Sequence, residues 1–179
     1  MEDGEILALY RAGHREEAFT AIVNTYSERL YWHVRTIVAS HEDADDLMQD
    51  IFLKIWNSLP SFRGESRLYT WLWRIATNEA LSHARRESLR AHQSLDGQQA
   101  VPEPAQASEG IDGDRAATLL AAAINTLPPR QKAVFSMRYF DGMTYEDISR
   151  VMRTSVGALK ASYHFAEKKV REYISRHGV

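Results

Sequence analysis

TYEDISRVMRTSVGALKASYHF, residues 144–165, reads as two helices joined by a three-residue turn. Thr144 and Asp147 have capping-box spacing, which predicts a short helix over about 145–152. Ile148, Val151 and Met152 fall at spacings of three and four and give that helix one apolar face. Arg153-Thr154-Ser155 forms the turn. Ser155 is placed to cap a longer helix, about 156–176, with Val156, Leu159 and Tyr163 as its inward positions. A short capped helix, a tight turn and a second amphipathic helix make a helix-turn-helix, whose second helix enters a DNA major groove by its N-terminal part. Charge agrees: residues 160–176 hold five Lys or Arg against two Glu, a balance of +3. Lys160, Ala161 and His164 lie off the apolar face, and the first amides after Ser155 can hold a phosphate. A bare three-helix bundle with a solvated basic helix would show much of the same pattern.

Outward from this motif the chain remains helical, with no convincing strand pattern. Pro128-Pro129 suits a helix start, and Val134, Phe135, Met137 and Tyr139 carry that helix to a stop at Asp141-Gly142. Asp114 is placed to cap an earlier helix bearing Leu119, Leu120, Ala123, Ile124 and Leu127. These four helices form one block, 114–179. Residues 91–113 are rich in Ala, Gln, Pro, Ser and Gly and poor in large apolar groups. Their burial cannot offset the entropy of ordering, so a flexible linker is expected. From 88 to 114 there is one Arg against five acids, a local charge of −4.

The first block, 1–90, divides into helices over about 3–12, 15–39, 41–58 and 66–88. Ile6, Leu7 and Tyr10 mark the first buried stripe. Ala18, Phe19, Ile22, Val23, Tyr26, Leu30, Val34, Ile37 and Val38 mark the second. Ser40 with Asp43 predicts the third N-terminus. The expected fold is all-α: two small helical domains joined by a flexible linker, the second a four-helix domain with a helix-turn-helix.

Two segments of the first block carry chemistry. HEDADDLMQD, 41–50, has five carboxylates and no Lys or Arg. Asp46, Gln49, Asp50 and Leu53 fall on one ridge. That ridge suits docking against a basic partner helix, or is simply a solvated face favoured by the helix dipole. His41 beside Glu42, Asp43 and Asp45 is a poor metal set, because adjacent helical residues point apart. In SFRGESRLYTWLWRIATN, 61–78, Leu68, Trp71, Leu72 and Ile75 make a core stripe, while Tyr69 and Trp73 sit four apart on another face near Arg74 and Thr77. Exposed rings beside arginines are what single-stranded DNA needs: rings stack on unpaired bases and cations neutralise phosphates. The amide of Asn78 can read the edge of a flipped base, and Arg85 and Arg86 extend the basic strip. The competing reading places both tryptophans in the core.

The sequence contains no cysteine, which excludes disulfides, thiolate metal sites and thiol nucleophiles. The formal net charge of −2 favours no partner class by itself. No apolar run approaches a membrane span and the N-terminus is not a secretory signal, so a cytoplasmic protein without membrane insertion is expected. No catalytic residue, metal site or cofactor motif is expected, and no phosphate-binding loop is present.

Taken together, DADDLMQDIFLKIW at 43–56, FRGESRLYTWLWRIATNEALSHARR at 62–86 and LPPRQKAVFSMRYFDGMTYEDISRVMRTSVGALKASYHFAEKKV at 127–170 resemble an extracytoplasmic-function sigma factor of bacterial RNA polymerase. The resemblance implies a factor that binds core polymerase, through its β and β′ subunits, and directs promoter-specific initiation. It implies that 1–90 recognises and melts the −10 element, and that 114–179 reads the duplex −35 element. Asp45, Asp46, Gln49, Asp50 and Leu53 are implied as the polymerase contact. Arg63, Ser66, Tyr69, Trp73, Arg74, Thr77, Asn78, Arg85 and Arg86 are implied for the unpaired −10 strand, with 62–69 capturing a flipped base. Ser155, Val156, Gly157, Lys160, Ala161, His164 and Lys168 are implied for −35 DNA. The acidic linker is similar to the family segment that threads the polymerase RNA channel, and an anti-sigma factor is a further implied partner. The recognition helix departs from the family pattern: Ser162 and Phe165 stand where basic residues are common. A conventional helix-turn-helix repressor or activator, or a helical adaptor that binds only proteins, would explain part of the same sequence.

Overall fold

The structure, a computed structural model, describes residues 1–93 and 113–178. All regular structure among them is helical: α1 Asp3–Arg11, α2 Arg15–Ile37, α3 His41–Ser58, α4 Leu68–Gln93, α5 Gly113–Asn125, α6 Pro129–Phe135, α7 Tyr145–Met152 and α8 Val156–His177. A short 3-10 turn, Leu59–Ser61, follows α3, and a π-helical turn, Ser136–Phe140, continues α6. The all-α expectation and the four-helix second domain are both met. The fourth helix starts later than expected and runs on to Gln93, five residues past the predicted end. Residues 91–93 and Gly113 of the expected linker are therefore helical, and 94–112 lie outside the described residues.

Local chemistry explains most helix starts. Ser40, Thr144 and Ser155 each accept a hydrogen bond from the backbone N–H three residues on, at 3.1, 3.2 and 3.3 Å. Asp114 is not a cap; it lies in the first turn of α5. Helix α4 takes its N-terminal acceptor from outside itself: the Asp3 carboxylate receives the Tyr69 N–H at 3.2 Å and also the Tyr26 hydroxyl hydrogen bond. One carboxylate thus ties α1, α2 and α4 together.

In the first domain α2 packs on α1, α3 and α4 around Ile22, Leu30, Val34, Ile51, Ile55, Leu68 and Leu72, all essentially buried. The second domain packs α5, α6 and α7 on α8. The two cores are not separate. Ala133, Val134, Met137, Met143, Ile148, Val151 and Met152 belong to the same buried cluster as the first-domain residues, because α6 lies on α2 and α7 on α4. A smaller cluster, with Ala123, Ile124, Leu127, Phe135, Ala166 and Val170, closes the far side.

The turn of the helix-turn-helix depends on one backbone conformation. Arg153, the residue after α7, sits at φ 51°, ψ 45°, the left-handed region. That conformation costs an L residue about 1–2 kcal/mol, partly offset here because a glycine would lose more chain entropy, about 0.5–1 kcal/mol. Arg153→Gly should therefore raise stability by about 0.5–1 kcal/mol, read as a higher urea midpoint with unchanged slope. A lower midpoint would contradict the assigned turn.

Candidate nucleic-acid interface

Three surfaces carry the residues singled out from sequence. The first is the acidic ridge of α3. Asp45, Asp46, Gln49, Asp50 and Leu53 are all exposed, and Leu53, at 61% exposure, places a bare apolar side chain beside the carboxylates. The buried residues Ala44, Leu47, Met48, Ile51 and Ile55 hold the opposite face of α3 in the core, which leaves the ridge outward. The alternative metal cluster near His41 does not form: no metal-holding group of His, Asp or Glu occurs among the described residues. His83 Nε2 lies 3.3 Å from Asp43, and the Tyr31 hydroxyl bonds His41.

The second surface is α8. Ser155, Gly157, Lys160, Ala161, His164 and Lys168 are exposed, and Val156 is half-buried. Leu159 is buried and Tyr163 half-buried against Phe135 and Tyr145, which fixes the rotation of the helix. Lys160 Nζ lies 5.8 Å from the Tyr145 ring, within cation–π range. Phe165, 59% exposed, shares the outer face with His164.

The third surface, the aromatic-basic face of α4, differs from expectation. Trp73 is 0% exposed and Thr77 is also fully buried; Tyr69 and Arg74 are half-buried. Only Arg63, Asn78, Arg85 and Arg86 stand clearly open, with Ser66 half-buried. The expected exposed Tyr69–Trp73 pair is thus corrected. The rings do stack four residues apart, with centroids 4.3 Å from each other, but the second domain covers them. The groove beside them is lined by Phe62, Arg63, Ser66, Thr70 and Arg74, with Arg150 from α7 at its rim.

The cover is polar as well as apolar. The π-helical turn 136–140 is one residue wider per turn than an α-helix, and it delivers Ser136 and Asp141 to the seam. Gly142, at φ 62°, then turns the chain back. The Trp73 indole N–H donates to Asp141 Oδ2 at 3.0 Å. Arg29 Nη2 lies 3.8 Å from the other carboxylate oxygen and donates to the Tyr69 hydroxyl at 3.3 Å. Its guanidinium sits 5.0 and 5.2 Å from the Tyr69 and Trp73 ring centroids. His33, wholly buried, bridges Thr77 at 2.8 Å and Ser136 at 3.1 Å. Sequence reading missed His33, Arg29 and the role of Asp141. For His33 a signal existed: it falls in helical phase with Tyr26, Leu30 and Ile37. For Asp141 there was none, since its partner lies 68 positions away.

Burial pulls the two seam groups in opposite directions. Desolvation lowers the His33 imidazole to about 3, so it is neutral. Desolvation raises the Asp141 carboxyl to about 6, against the smaller lowering by the Trp73 hydrogen bond and Arg29. As pH falls below about 6.5 the unfolded chain takes up a proton at His33 that the fold refuses, which destabilises. Between about pH 6 and 4 the fold takes up a proton at Asp141 that the unfolded chain does not, which stabilises. The two slopes oppose. Asp141→Asn removes the stabilising one, so its unfolding free energy, read from urea titrations, should fall more steeply than wild type between pH 6 and 4, diverging by roughly 1–3 kcal/mol. Parallel curves would refute the assignment.

Comparison with known proteins matches this geometry to one family. The family model described as Sigma-70 region 2 matches residues 22–90, and that described as Sigma-70, region 4 matches 117–170. The chain is 26% identical to the RNA polymerase sigma-H factor of Pseudomonas aeruginosa over 178 residues, covering 94% of this chain and 92% of that one. It is 27% identical to the ECF RNA polymerase sigma-E factor of Escherichia coli K12 over 164 residues, covering 87% and 85%. Among solved structures, the fold is similar to the sigma factor RpoE in complex with the anti-sigma factor NepR from Bartonella quintana. There the TM-score is 0.72 at 24% identity, covering 88% of this chain and 96% of that one. It is also similar to CnrH in complex with the cytosolic domain of CnrY, with a TM-score of 0.69 at 21% identity, covering 98% and 99%. With region 2 and region 4 matched in order along one helical chain, this protein belongs to the extracytoplasmic-function sigma factors, which direct the initiation of transcription.

Proposed function

We propose that the chain docks on core RNA polymerase through the α3 ridge, reads the duplex −35 element with α8 and holds the unpaired −10 strand on α4. The observation that supports this reading is the pairing, in one chain, of a capped helix-turn-helix with an outward basic face and an aromatic helix flanked by arginines. A repressor or activator would need only the first, and leaves the bare acidic ridge with Leu53 without a role.

Arg63, in the loop before α4, and Arg85 and Arg86 on α4 neutralise strand phosphates. The 62–69 segment captures an extruded base, and Asn78, further along α4, offers its amide to the same strand. Ser66, Tyr69, Arg74, Trp73 and Thr77 complete the strand contact once the second domain has moved off them. Extruding and holding a base offsets an unpairing cost of a few kcal/mol, so melting follows from tighter binding to the open strand and needs no nucleotide hydrolysis. On α8, Ser155, Val156 and Gly157 meet the phosphate at the helix N-terminus, and Lys160, Ala161, His164 and Lys168 face the groove. An anti-sigma factor is a further proposed partner, as in the RpoE–NepR complex named above. The locus of action is the cytoplasm, and no helix among the described residues is long and apolar enough to cross a membrane.

The decisive experiment is promoter-specific transcription in vitro with purified chain and core polymerase alone. Discrete starts are expected; absence of any stable assembly with core polymerase would overturn the reading. In the same assay Asp46→Arg should abolish assembly by placing a like charge against a basic partner helix. Asn78→Ala should leave assembly intact and weaken single-strand binding by about 1–3 kcal/mol. Phe165 gives a separate check. An exposed ring on a groove-facing helix suits the 5-methyl group of thymine. Replacing thymine by uracil at one −35 position should weaken binding of wild type but not of Phe165→Ala. Equal loss in both proteins would remove Phe165 from the contact.

A further inference from the structure

One cleft gathers cations without pairing them. It lies beside the start of α4 and has a volume of about 530 Å³, with Arg150 of α7 at its rim. Arg63, Arg74 and Arg150 all line it, and Glu65 is the one carboxylate in the lining among the described residues. Three positive charges thus face one negative, a formal balance of +2. Among the described residues the Arg63 and Arg74 guanidinium groups make no ion pair or hydrogen bond, and Arg150 has only Asp147, at 3.7 Å. Like charges around a partly enclosed cleft repel, and an anion entering it relieves the repulsion. Two further features point to the rest of the ligand. Phe62 and Trp71 meet with ring centroids 5.1 Å apart and give the cleft an aromatic side. Thr70 also lines it and is only 2% exposed, yet its hydroxyl has no hydrogen-bond partner among the described residues. A buried hydroxyl without a partner is costly to keep. Threonine in a helix populates two χ1 wells, so a change of rotamer turns that hydroxyl toward an entering group.

We propose that this cleft binds a free nucleoside polyphosphate: the base lies on Phe62 with the Thr70 hydroxyl at its edge, and Arg63, Arg74 and Arg150 hold the phosphates. A guanidinium presents paired N–H donors that match phosphate oxygens, and three of them around one cleft suit a chain of phosphates rather than a single carboxylate. The volume falls within the roughly 300–1,000 Å³ usual for small-molecule sites. Stacking on an aromatic ring accepts any base, so discrimination between bases falls to Thr70, which both donates and accepts. The site goes beyond the strand reading: it stands on the lining of the cleft, and Arg150 has no part in the strand or −35 contacts proposed above. Only its consequence rests on that reading. A nucleotide in the cleft occupies the 62–69 segment and the Arg63 and Arg74 side chains given to the −10 strand. The two ligands then exclude each other, and the nucleotide concentration sets how readily the factor takes up a strand.

The test uses the whole chain and ADP carrying a fluorescent label on its ribose. Anisotropy titration should show saturable binding, reversed by unlabelled ADP. Adenosine and inorganic phosphate should each compete roughly tenfold less well, because each meets only part of the cleft. Competition by inorganic phosphate equal to that of ADP would overturn the nucleotide in favour of a bare anion cluster. Arg150→Gln, at an exposed position, should weaken ADP binding by about tenfold by removing one charged donor. Unchanged affinity would overturn the part given to the rim. Thr70→Val separates a binding role from a structural one. Loss of an unpaired buried hydroxyl should raise the thermal midpoint, while ADP binding weakens by about fivefold. A raised midpoint with unchanged affinity would overturn the part given to Thr70. No binding of ADP to the free chain would overturn the site and leave the strand reading untouched. In the assembly with core polymerase, ADP should displace a short −10 single strand, and a strand held equally well at saturating ADP would overturn the competition. A strand that does not bind that assembly even without ADP is a failure of the strand reading alone.

Discussion

A buried indole has one polar atom, and in this chain the group that satisfies it lies on another domain. Trp73 sits at 0% exposure with its N–H on Asp141, whose carboxylate is only 9% exposed and faces Arg29. Removing the carboxylate would leave a donor without an acceptor in the least hydrated part of the molecule, which costs more than the bond itself contributes. The rest of the seam is built around that pair. His33 links Thr77 to Ser136, the wide π-helical turn brings Ser136 and Asp141 within reach, and Gly142 reverses the chain after them. The apolar side chains of α6 and α7 then complete a core that neither domain closes alone.

This arrangement leaves two of the three surfaces open and one covered. The acidic α3 ridge and the outer face of α8 stand open because their opposite faces are buried within their own domains. The α4 face, by contrast, is apolar enough to attract the nearest complementary surface, and the nearest is the second domain. An aromatic strand-binding platform is necessarily sticky: rings that stack on bases also bury well against methionine and isoleucine.

The helix-turn-helix shows the same economy in local geometry. Thr144 and Ser155 cap the two helices, Arg153 takes the left-handed conformation between them, and the Ser149 hydroxyl donates to the Thr154 carbonyl at 2.7 Å. Small residues at 157, 158 and 161 keep the outer face of α8 shallow near its N-terminus. The aromatic side chain at Phe165 follows further along.

Most helix positions, the caps at Ser40, Thr144 and Ser155 and much of each inward stripe were legible in the sequence, because helical periodicity and capping are short-range properties; the expected cap at Asp114 was not met. The α3 ridge was legible for the same reason: Asp46, Gln49, Asp50 and Leu53 share a face whatever α3 packs against. The exposure of Tyr69 and Trp73 was misjudged, since sequence spacing shows that two rings share a face but not what lies over it. That depended on contacts across 44 to 103 positions, His33 to Thr77, Trp73 to Asp141 and His33 to Ser136. The chain alone determined the elements and their chemistry, because those follow from neighbours within a few residues. The tertiary structure alone decided which of the chemically competent faces is open, because burial is set by whatever distant surface completes the core.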